Sequence, residues 1–75
     1  MQHFVVTYLD ENRHPLGQPV AMVRASLKEV SPESLNLIIG GRSVMVSTTR
    51  EVVGTDSGDP PITNVLVHCT RPSTN

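Results

Sequence analysis

His3, His14, His68 and Cys69 are the side chains of this chain suited to ligate a transition metal or to share a proton with a nucleophile. A metal site needs ligands at spacings such as His-x3-His or Cys-x2-Cys, which bring two donors to one ion, and no pair among these four has that spacing. His68 and Cys69 are adjacent in "ITNVLVHCT", which reads as a strand, so their side chains point to opposite faces. A thiolate and imidazole working as a dyad must share a side. The expectation is a Cys69 that packs as a small hydrophobe and a His68 at the surface.

Asp56 and Asp59 fall in "GTDSGDPP", whose acids are reminiscent of a calcium loop or an acid/base pair. The run lacks the closing Glu of a calcium loop, and its Asp-Ser-Gly is followed by Asp59 rather than the Thr or Ser of aspartic-protease loops. Turn-forming aspartates are the expected reading. Gly40-Gly41-Arg42 would offer backbone N–H groups to a phosphate, but neither a Lys-Ser/Thr pair nor a helix follows. It reads as a structural turn. No catalytic, cofactor-binding or metal residue is therefore assigned, and an enzyme is not expected.

Six basic residues against seven acidic ones leave a net charge of -1, with no basic block and only Phe4 and Tyr8 as aromatics. Nucleic-acid binders carry an electrostatic footprint and often stacking aromatics. Arg24, Lys28, Arg42 and Arg50 are the candidates for phosphate contacts if the folded surface gathers them.

At 75 residues the chain is one domain, 1–75, and a domain of this size buries only about 60% of the surface its unfolded chain exposes. The lone Cys69 supplies no internal disulfide, so association with other copies would compensate. A single thiol also suits a reducing, cytoplasmic setting. No apolar run approaches the roughly 20 residues of a membrane-spanning helix.

The elements that must position these residues read mainly as strands. "HFVVTYL" (3–9) is aromatic and β-branched, a strand covered on both faces. "DENRHPLGQP" follows as a turn-rich connection. In "VAMVRASLK" (20–28), Val23, Ala25 and Leu27 alternate with Arg24, Ser26 and Lys28, which predicts a half-buried strand with the first set inward and the second outward. Residues 34 to 47, "SLNLIIGGRSVMVS", admit two readings. Ser31-Pro32-Glu33 is a good helix start, giving a short helix at 32–39 stopped by Gly40. The preferred reading is a hairpin turning at Gly40-Gly41, with 35–39 antiparallel to 43–48 and Ile38 and Met45 on its outer side. A loop at 54–61, a last strand with Val65, Val67 and Cys69 on one face, and a frayed tail at 71–75 complete the reading. The fold class is all-β, a small five-stranded, closed or nearly closed barrel.

Residues 24 to 53, "RASLKEVSPESLNLIIGGRSVMVSTTREVV", resemble the central run of Sm-like and other SH3-type small barrels. The shared features are a strand ending in small-x-Leu, a turn, an "sLxL" strand, a glycine hairpin and a "vxVs" strand. Ala25 stands where the Sm family prefers Gly, and Ser31 where it usually has Asp. The resemblance implies a bent barrel that often forms rings through strand edges; none of the family's RNA-contacting residues carries over. The expected function is a non-catalytic protein interaction or assembly module, a homo-oligomer formed through strand edges, with Ile38 and Met45 at the interface. The alternative is an RNA-binding small barrel using Arg24, Lys28, Arg42 and Arg50.

Overall fold

The structure, a computed structural model, describes residues 1–71. Five strands and one 3-10 turn follow in order: β1 (Gln2–Leu9), β2 (Val20–Arg24), the turn Leu27–Glu29, β3 (Ser34–Ile39), β4 (Arg42–Asp56) and β5 (Ile62–Thr70). They form one curled sheet in the order β2-β1-β5-β4-β3, a half-barrel of mainly β structure. The sheet does not close, because β2 and β3 stand at its two ends.

The hairpin is present and the helix at 32–39 is not. Leu35 pairs with Val46 and Leu37 with Val44, so these four side chains share a face, while Asn36, Ile38, Ser43 and Met45 share the other. Gly40 and Gly41 take φ of +60° and +77°, the two positive angles that a two-residue turn of type I′ requires. Only glycine adopts both without steric cost. The β-branched Val and Thr of "RSVMVSTTREVV" then favour the extended chain beyond the turn.

β1 runs parallel to β5, with Val6 opposite Val65 and Tyr8 opposite Val67. The other pairings are antiparallel. The core lies on one face: Phe4, Val6, Val30, Val46, Val65, Val67 and Cys69 are buried, with Met22, Leu27, Leu35, Leu37 and Val44 packed against them. Segment 25–33 leads from β2 to β3, the two ends of the sheet, and seats Val30 in this core.

Two expectations are corrected. β2 ends at Arg24, and its inward residue is Met22, set opposite Phe4; Val23 faces the other way and is exposed, as is Ala25. A one-residue change of register turns over every side chain of a strand, and contact with β1 chose the opposite parity. Leu27 does reach the core, but from the 3-10 turn. Next, Gly54, Thr55 and Asp56, assigned to the loop at 54–61, extend β4 and pair with Asn64, Thr63 and Ile62 past an irregularity between Val52 and Gly54. Of the expected tail, the Arg71 N–H donates to Glu11 Oε1 at 3.3 Å, and residues 72–75 lie outside the described residues.

The molecule is long for its size. Its radius of gyration is 13.2 Å and its longest extent 47 Å, where a compact chain of this length would have a radius near 11 Å. The reason is β4, whose 15 residues, at about 3.3 Å each, span that extent unaided.

Candidate functional site

β4 is longer than either neighbour. Arg42 to Ser47 pair with β3 on one side, and Ser47 to Asp56 pair with β5 on the other. β3 begins at Ser34, opposite Ser47, and just before it the Thr48 N–H donates to the Glu33 carbonyl at 2.8 Å. Beyond Thr48 that side of β4 has no neighbouring strand among the described residues. In an antiparallel ladder the backbone groups of alternate residues point to the same neighbour. Since those of Thr48 point toward β3, those of Arg50 and Val52 point to the open side.

Exposed apolar side chains flank this edge. Val52 is 48% exposed and Val53 61%. Val52 lies opposite the buried Val65, on the core face. An extended, β-branched, unpaired strand is the feature that templates the addition of another strand.

At the head of the open edge is a cleft of about 700 Å³, lined by Lys28, Glu33, Ser34, Ser47, Thr49 and Arg50 among others. Two bonds hold its wall. The Thr48 hydroxyl donates to the Pro32 carbonyl, and Arg50 Nη2 donates to the Lys28 carbonyl at 3.1 Å. Arg50 Nε is buried with no partner, so this guanidinium is only partly satisfied. The cleft carries two cations, Lys28 and Arg50, against the single anion Glu33.

The four cations assigned to phosphate contacts are not gathered. Lys28 and Arg50 meet in the cleft. Arg24 pairs with Gln2 at the Asp56 end of the sheet, and Arg42 opens β4 at the other. A strand of that length separates the two by about 45 Å along the sheet. The expected outward alignment of Arg24 with Lys28 also fails, because β2 stops before Lys28 and the backbone there is a 3-10 turn.

Ile38 and Met45 are exposed at 74% and 49%, on the hairpin face away from the core. Cys69 is buried, and burial pushes its thiol pKa up from 9.0, away from the thiolate that nucleophilic chemistry uses. His68 points to the opposite face, where Nε2 lies 2.7 Å from Glu51 Oε1. His3 lies on β1 opposite Ile62, and His14 sits in the exposed β1–β2 connection. Asp56 is a strand residue, not a turn former, and its Oδ2 accepts a bond from Asn64 Nδ2 at 3.1 Å. Asp59 is in the exposed loop after β4. Among the described residues no three His, Cys, Asp or Glu side chains are grouped to hold a metal ion, and no helix is long and apolar enough to cross a membrane.

Sequence reasoning treated Arg50 as a phosphate contact and missed the open edge that Arg50 and Val52 present. A signal was present: the run after Gly41 is more than twice as long as "SLNLII" before Gly40, so one hairpin partner cannot cover it. Compared with known protein families, curated proteins and solved structures, the chain matches none of them.

Proposed function

We propose that this chain is a non-catalytic interaction and assembly module that works by adding strands at its open edges, copies of the chain associating with one another in this way. The observation that supports the reading best is the second half of β4, which has a strand on one side only among the described residues and where Arg50 and Val52 offer backbone groups beside exposed Val52 and Val53. Strand addition takes its affinity from main-chain hydrogen bonds and its selectivity from alternate side chains, so it needs no catalytic constellation. A net charge of -1 opposes self-association little.

The test is light scattering over a range of concentrations with wild type and Val52→Pro. Proline removes the outward N–H of an edge residue without breaking the ladder on its other side. Wild type should exceed the monomer mass and the variant should approach it. A wild-type protein that stays monomeric at high micromolar concentration would refute self-association.

RNA binding is the second reading, favoured by the meeting of Lys28 and Arg50 alone. It requires an affinity that falls with salt, with a log-log slope near -0.7 for each phosphate neutralised on a single strand. It also requires that Lys28→Ala and Arg50→Ala each reduce that slope.

A further inference from the structure

The cleft at the head of the open edge has a polarity, and it specifies which end of an added strand belongs there. β3 runs antiparallel to β4 and starts at Ser34, opposite Ser47. A strand laid on Arg50 to Asp56 in the same antiparallel sense would lie in line with β3 and run toward Ser34. Its last residue would then reach the cleft between Lys28, Ser34, Ser47, Thr49 and Arg50. A parallel strand would bring its first residue, and an α-ammonium, to the same two cations.

The geometry points to a carboxylate-capture site: the edge of β4 accepts an extended, β-branched peptide segment in antiparallel sense, and the cleft holds that segment's C-terminal carboxylate. This rests on reading the edge as a strand acceptor and adds the direction and the chemical end of the partner. Three observations converge. The cleft's charge is complementary to a carboxylate, with Lys28 and Arg50 outnumbering Glu33. The Arg50 N–H points to the open side, where no strand lies among the described residues, and a backbone N–H beside a cation and hydroxyls is how peptide carboxylates are held. Finally, Val52 needs an apolar neighbour on the core face, which a β-branched residue of the incoming strand supplies. The cleft ends where Glu33 takes the Thr48 N–H and β3 begins, so a chain continuing beyond it would meet Glu33 and Ser34, and a chain that stops there fits.

The probe is a short acetylated peptide of alternating valine and threonine with a free C-terminal carboxylate, compared with the same peptide as its C-terminal amide. Binding is followed by the amide resonances of Arg50 and Val52, at protein concentrations below self-association. The carboxylate form should bind about tenfold more tightly or better, the discrimination expected of one charge-assisted contact. Lys28→Met, a change at an exposed side chain, should weaken the acid and leave the amide's affinity unchanged. Val52→Pro should remove binding of both. Equal binding of acid and amide to wild type would overturn carboxylate capture while leaving the strand-accepting edge in place. Binding that persists in Val52→Pro, with no change at the Arg50 amide, would overturn the edge as well. If neither peptide shifts those amides on wild type, the capture proposal fails, and light scattering alone then decides the assembly reading.

Discussion

The backbone N–H of Thr48 donates to the carbonyl of Glu33, and past this bond one side of β4 has no strand beside it among the described residues. The two residues mark where a paired strand becomes an acceptor. Up to Thr48 the chain is part of a hairpin; after it, β5 is the one strand beside it among the described residues.

Hydrogen exchange should show the change directly. Thr49 and Glu51 lie opposite His68 and Leu66, with backbone groups directed to β5, while those of Arg50 and Val52 point to the open side. In amide exchange measured by NMR, Thr49 and Glu51 should be protected and Arg50 and Val52 should exchange fast. Protection at all four in a monomer would contradict the open edge.

Val67 and Val53 make a matched pair of truncations. Val67→Ala removes buried methyl groups from the core between Val65 and Cys69, and should cost about 2 kcal/mol. Val53→Ala acts on an exposed side chain and should stay within about 0.5 kcal/mol in the monomer. Urea unfolding of both variants gives the comparison.

Gly41→Ala should destabilise by about 1 to 2 kcal/mol, because a Cβ at a left-handed angle clashes with the chain's own carbonyl. The surroundings are open, so the cost is conformational and not one of crowding. Gly41→Asn should recover part of it, asparagine being the side chain best tolerated there after glycine. Melting temperatures should rank wild type above Asn above Ala.

Asp10 organises the connection after β1. Its Oδ1 accepts the N–H of His14 and of Asn12, each at 2.8 Å, and the His14 bond foremost holds its carboxyl below the ordinary 3.8. A depressed folded-state pKa means that its stabilisation is present above the unfolded value and lost as pH falls through the folded one. The Asn12 and His14 amide resonances should therefore titrate together below pH 3.8, and in Asp10→Asn that shared step should vanish.

Cys69 should resist alkylation in the folded protein at neutral pH and react readily in urea, since its thiol is buried and its pKa raised. Equal rates in both conditions would show that β5 does not stay packed on the core.

Much of this was local and therefore readable. The hairpin at 34–47 follows from two glycines that alone satisfy its turn and from alternation on both arms, and the opposite facing of His68 and Cys69 follows from the period of a strand. Those features depend on residues near one another in the chain. The parallel pairing of β1 with β5, the inward turn of Met22 in place of Val23 and the reach of β4 to Asp56 were decided by which distant strands met. Alternation alone states that a strand has two faces and leaves open which one is buried, and a strand's neighbours are set by the closure of the whole sheet. The open edge arises the same way: the sequence supplies a long strand and a short one, and only their assembled register leaves Arg50 and Val52 with no strand on one side among the described residues.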